Sequence, residues 1–154
     1  DKSGVEYARA DLFQDRTVIV TPTSSSDDAL VAEVAEFWRA LGARVVPMPP
    51  DAHDKALATT SHLPHVLASA LAGQTSDDML PFVAGGWRDT TRIAAADVEL
   101  WTQILLENKE HIVAATKNFR QRLTEFETAI HNSDKAAIKR LLSEGKQQRN
   151  ALGS

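Results

Sequence analysis

At 154 residues, with 43% hydrophobic and 25% charged residues, the chain has the size and make-up of one soluble globular domain or a piece of a larger one. Its 17 Lys and Arg against 21 Asp and Glu leave a formal net charge of -4, which argues against general nucleic-acid binding, because neutralising phosphates needs a basic surface. Cysteine is absent, which removes disulfides, thiolate chemistry and cysteine zinc sites, and no apolar run approaches the roughly 20 residues of a membrane span.

A cysteine-free chain fits a reducing compartment, so a cytoplasmic location is the expectation. The opening "DKSGVEYARADLF" is mixed and charged, unlike a signal peptide, and has no Met; we expect it to be cut from a longer chain. "TVIVTPT" from Thr17 is a short β-branched run closed by Pro22, which predicts a buried strand. "SSSDD" supplies an N-cap and acidic first-turn residues. Leu30, Val31, Val34, Phe37, Trp38 and Leu41 then recur at helical spacing, with Gly42 as the C-cap. "ARVVPM" predicts a second strand, so residues 17–48 form one strand–helix–strand unit.

Pro47, Pro49 and Pro50 break the chain, and beyond Asp51 strand signals vanish. A helix is predicted over 51–59, continued or restarted by "SHLPHVLASALAG", where Pro64 implies a kink or a new first turn and Gly73 closes the element. "QTSDDMLPFVAGGWRD" is expected to be a loop. Short helices are predicted over 90–95 and 97–108, the second capped by Asp97. Ile112, Val113, Thr116, Phe119, Leu123 and Phe126 mark a long amphipathic helix over 108–126. "NSD" at 132–134 caps a last helix carrying Ile138, Leu141 and Leu142, and the polar tail "EGKQQRNALGS" is expected to fray. Apolar faces on helices with few partners suggest that they meet a second copy of the chain.

Two clusters could carry chemistry. Arg88 and Arg92 are four apart, so one helix would display both guanidiniums on one face, each able to grip a carboxylate with two hydrogen bonds. Gly85 and Gly86 ahead of them permit close backbone approach and positive φ, and Asp89 can hold one arginine by pairing. The alternative is an ordinary salt-bridged surface helix. His62 and His65 are three apart and His53 precedes them, followed by Asp54. His-x-x-His without a placed carboxylate or cysteine is a weak metal signal, so no metal is expected, though a metal-binding bundle through His53, His62 and His65 stays open. The other readings are a histidine satisfied inside a helix interface, or one touching an anionic or hydroxylated substrate. Trp101 lies nine residues beyond Arg92 and reads as a core or interface aromatic. There is no G-x-G-x-x-G, P-loop or G-x-S-x-G, and Ser61 beside His62 is not a triad.

Taken together and in order, "DKSGVEYARADLF…TVIVTPT", His53-Asp54, "SHLPH", "GGWRDTTRIAA" and "LWTQILLEN" resemble the prephenate dehydrogenases of tyrosine biosynthesis, from residue 1 to about residue 125. The resemblance implies a mainly α chain: a short N-terminal βαβ remnant of a Rossmann-type domain at 1–50, then an all-helical dimerisation and substrate-binding domain at 51–154. It implies NAD- or NADP-dependent oxidative decarboxylation of prephenate, or of arogenate. Arg92 becomes the main substrate-carboxylate ligand and His65 the active-site histidine near the substrate side chain. Arg88 stands where relatives often have Lys, and His53, Gly85, Asp89 and Trp101 match positions lining the pocket or its dimer-related wall; His62 is then structural. The family's glycine-rich nucleotide loop and catalytic histidine belong upstream of residue 1. The 154 residues alone are therefore expected neither to turn over prephenate nor to bind the cofactor. Tyrosine is a possible competitor at the substrate pocket, and neither a nucleic-acid nor a membrane partner is expected. The other class of reading is a stand-alone helical dimerisation or ligand-sensing module without catalysis.

Overall fold

The computed structural model describes residues 4–153. The chain divides between Thr60 and Ser61 into two compact units. In the first, a 3-10 turn at Val5–Tyr7 precedes strand β1 (Thr17–Val20), helix α1 (Asp28–Ala40), strand β2 (Arg44–Pro47) and helix α2 (Pro50–Leu57). The strands pair in parallel, Thr17 opposite Arg44 through Val20 opposite Pro47, so the expected strand–helix–strand unit is present. Asp27 caps α1 by accepting from the N–H groups of Ala29 (2.8 Å) and Leu30 (3.2 Å), the role its short carboxylate suits. Gly42, at φ +83°, turns the chain out of α1 in a conformation that penalises any side chain, and its carbonyl accepts from Asp15 N–H at 2.9 Å. Not all of the apolar stripe on α1 is covered. Ala35 is buried and Val31 and Trp38 half-buried, with Phe13 edge-on to Trp38 at 5.0 Å; Leu30, Val34 and Phe37 are exposed.

The proline-rich break at 47–50 opens α2, with Pro50 in its first turn. Between α2 and helix α3 (Leu63–Gln74) runs one π-helical turn, Ala58–His62. Pro64 accounts for it: lacking an N–H, it cannot continue an α-helical ladder, and an extra residue in the preceding turn leaves room for its ring. The predicted kink or restart is thus a π turn followed by a fresh first turn.

The second unit is entirely helical. After α3 come a 3-10 turn (Asp77–Phe82), α4 (Gly85–Thr91), a 3-10 turn (Arg92–Ala95), α5 (Val98–Glu107), α6 (Lys109–His131) and α7 (Lys135–Asn150). The fold class read from the sequence holds, with four local corrections. Gly73 lies inside α3, which ends one residue later at an extended Thr75. The expected loop over 74–89 contains the 3-10 turn and the start of α4. The α-helix there begins at Gly85 and stops at Thr91, short of Arg92. The tail expected to fray is helical to Asn150, since Lys146, Gln147, Gln148 and Arg149 are all good helix formers and outweigh Gly145.

Asp97 and Asp134 cap α5 and α7, Asp97 accepting from Leu100 N–H at 2.7 Å and Asp134 from Ala136 and Ala137 at 3.0 Å each. The core of this unit is built from Leu63, Ala68, Ile112, Ala129 and Leu141, the last only 2% exposed. Across α6 and α7, Glu144 joins Arg122 and Arg140, and Arg122 also meets Glu125 at 2.7 Å. Among the described residues no helix is long and apolar enough to cross a membrane.

Candidate functional site

His65 leaves the first turn of α3 with its ring buried, 6% exposed. Trp101, projecting from α5, stacks on it with centroids 3.5 Å apart and planes 14° from parallel. His62 approaches the same indole edge-on, at 6.1 Å and 82°. Its Nδ1 lies 3.2 Å from the side-chain Nδ2 of Asn108, a buried residue at the α5–α6 junction. Burial pushes the His65 imidazole below its ordinary value, because an apolar surrounding disfavours the charged ring. At neutral pH it is therefore a neutral group able to donate from one nitrogen and accept at the other.

The stack forms one wall of a cavity of about 270 Å³. α3 contributes His65, Val66 and Ser69; the segment before α5 contributes Ala94, Ala96 and Asp97; α5 contributes Val98, Trp101, Thr102 and Leu105. The lining is mostly apolar with a few hydroxyl and carboxyl groups, the composition of a small-molecule pocket. Asp97 has one carboxylate oxygen engaged in the α5 cap. A larger groove of about 420 Å³ lies along α6 and α7, but it contains none of the candidate site residues, and its Arg140 is paired with Glu144.

The arginines are placed differently from the expectation. Arg88 sits in α4, and Arg92, its C-cap with αR backbone angles, opens the following 3-10 turn. Both are exposed and neither lines the 270 Å³ cavity. The expected Asp89–arginine pair is not formed: among the described residues Arg88, Asp89 and Arg92 make no ion pair and no side-chain hydrogen bond. Two unpartnered guanidiniums are thus available to an anion. Gly85 and Gly86 do not use positive φ; both lie in the first turn of α4 with open space where a Cβ would be. Trp87 Nε1 donates to Thr75 Oγ1 at 3.1 Å and ties α4 to the end of α3.

His53 belongs to the first unit, half-buried on α2, with Nδ1 2.9 Å from Asp54 Oδ1. Among the described residues no group of three or more His, Asp or Glu is arranged to hold a metal ion. The sequence reading passed over Val66, Ser69, Thr102 and Leu105, whose helical spacing around His65 and Trp101 could have signalled them, and Asn108, for which only its polarity at a helix junction was a clue.

Residues 1–47 match the nucleotide-binding domain of prephenate dehydrogenase and residues 49–144 its dimerization domain. Cyclohexadienyl dehydrogenase of Zymomonas mobilis is 35% identical over 99% of this chain and 54% of its own length. Prephenate dehydrogenase of Lactococcus lactis is 37% identical over 98% of this chain and 42% of its own length. The chain thus spans about half the length of the curated relatives it matches. Prephenate dehydrogenase of Aquifex aeolicus, solved in complex with hydroxyphenyl propionate and NAD+, superposes with a TM-score of 0.88 at 34% identity, over 99% of this chain and 55% of that one. Synechocystis arogenate dehydrogenase superposes with a TM-score of 0.81 at 28% identity, over 92% of this chain and 54% of that one. With both domain models matched in order and nearly the whole length superposed, the chain belongs to the prephenate dehydrogenase family.

Proposed function

We propose that the chain forms the substrate-binding and dimerising part of an enzyme that oxidatively decarboxylates prephenate, or arogenate, with NAD or NADP. The observation that carries this reading is the His65–Trp101 stack walling an apolar cavity, on the same helical unit as two unpartnered arginines. A cyclohexadienyl diacid needs an apolar slot for its ring and guanidinium partners for its carboxylates. Arg92 is assigned the main carboxylate contact and Arg88 the second, with the open backbone at Gly85 allowing close approach. Neutral His65 hydrogen-bonds the substrate side chain, and Trp101 covers the ring. Asp89 orients an arginine once substrate draws the two together.

In the reaction the ring carbon bearing the hydroxyl loses a hydride, the ring carboxylate leaves as CO2, and its bonding pair enters the ring, which becomes aromatic. The nicotinamide cofactor supplies the hydride acceptor. Its fit to the residues described is poor. The β1–α1 turn reads Thr21-Pro22-Thr23-Ser24-Ser25-Ser26, carries no glycine, and Thr23, Ser25 and Ser26 spend their hydroxyls on one another. The residues above bind and orient substrate only. Turnover is assigned to proteins of the relatives' length, of which this chain spans about half. The product-like amino acid tyrosine would compete for the same apolar slot, and a second copy would cover exposed apolar residues such as Val113 and Leu123 on α6.

Titrating the chain with prephenate, followed by tryptophan fluorescence, tests the reading. Arg92→Ala should weaken binding by roughly 10- to 150-fold, the equivalent of about 1.5–3 kcal/mol for one charge-assisted contact. An unchanged affinity removes Arg92 from the site.

A further inference from the structure

Asn108 closes α5 and opens α6, and its backbone already performs both jobs: its N–H donates to the carbonyl of Ile104 at 3.2 Å and its carbonyl accepts from Ile112 at 3.1 Å. At such a position an asparagine side chain ordinarily turns back to accept from the first N–H groups of its own helix. Here it makes no side-chain cap bond. The buried amide reaches instead across 46 positions of sequence to His62, with Nδ2 3.2 Å from Nδ1. An amide nitrogen can only donate, so Nδ1 must present its lone pair, and the imidazole proton then resides on Nε2. A protonated ring would set two donors against each other. His62 in turn stands edge-on to Trp101, whose opposite contact is the parallel stack on His65. Three buried or half-buried rings are thus fixed in a row from one amide.

We infer that Asn108 is a positioning residue: its side-chain amide donates to His62 Nδ1, holds His62 neutral with the proton on Nε2, and so fixes the ring that keeps Trp101 stacked on His65. Its bearing on substrate rests on the role proposed above for His65 and Trp101. Asn108 itself does not line the cavity. A structural cap would be served equally by Asp at this junction; a donor to Nδ1 would not, because a carboxylate reverses the polarity of the bond.

The test is long-range proton–nitrogen NMR of the full chain labelled in its histidines, at neutral pH. The wild type should show His62 protonated at Nε2 and bare at Nδ1, with the His65 ring protons displaced upfield by the indole above them. Asn108→Asp, matched in size, should move the His62 proton to Nδ1. Asn108→Ala should leave a mixture of tautomers, and the upfield displacement of His65 should shrink. Where the alanine variant does not fold, the wild-type tautomer and the aspartate variant decide. A wild-type proton on Nδ1 overturns the inference, as does a His65 ring whose shifts are the same in wild type and variants. A prephenate titration of the same samples separates the two readings: absence of binding with the tautomers as expected defeats the proposed function and leaves Asn108 as the device that orders the rings.

Discussion

Replacing Trp101 by alanine is the sharpest perturbation of the cavity wall. The indole has two aromatic neighbours, His65 stacked at 3.5 Å and His62 edge-on at 6.1 Å. Each such pair contributes about 0.5–1.5 kcal/mol beyond area burial, so the two together amount to about 1–3 kcal/mol. Full truncation of a core aromatic costs about 3–5 kcal/mol, but one side of Trp101 already opens on the 270 Å³ cavity and lacks packing partners there. A loss of about 2–4 kcal/mol follows. For a helical unit of this size it lowers the midpoint by roughly 8–32 °C, at about 4–8 °C per kcal/mol. Trp101→Phe keeps a ring over His65 and should recover about half of the loss. Thermal unfolding followed by circular dichroism at 222 nm reads both variants. If alanine melts within a degree of wild type, or phenylalanine melts no higher than alanine, the rings do not hold this unit together and the cavity wall has no energetic basis.

Protonation of His65 sets a pH dependence of known sign. Its folded-state value lies below the ordinary 6.5, so the unfolded chain takes up the proton first as pH falls. The His65 contribution to stability is intact above 6.5 and is lost as pH drops from there toward the folded-state value; an NMR titration placing His65 above 6.5 contradicts the burial argument. Leu141→Ala empties the most deeply buried large side chain and should cost about 2–5 kcal/mol, read from the urea midpoint, with α7 losing protection from amide exchange first. The 154-residue chain, with no glycine-rich β–α loop among its described residues, should show no saturable fluorescence change with NADH; binding in the micromolar range would overturn the poor cofactor fit.

How far the sequence carried the architecture depended on whether a signal was local. Caps at Asp27, Asp97 and Asp134 were legible because a short carboxylate before an apolar-periodic segment satisfies N–H groups two and three residues away. So was the disturbance at Pro64, though not its form: propensity marks where an α ladder fails, and packing decides that a π turn repairs it. The α-helix starting at Gly85 was missed because two glycines outweigh their neighbours on any propensity scale, while the Trp87–Thr75 hydrogen bond that anchors this helix joins residues twelve apart. The site divides along the same line. His65 and Trp101 each stood out as types, but their stack links α3 to α5 and no spacing rule encodes it. Arg88 and Arg92 keep their i, i+4 spacing across the end of α4, but the expected pairing with Asp89 does not form, which leaves each without a partner. That departure has functional content. A pair neutralised within its own helix would have to be broken before substrate could be gripped, whereas two uncommitted guanidiniums on adjoining elements need only be brought to a common ligand, and the cost of arranging them falls on binding rather than on folding.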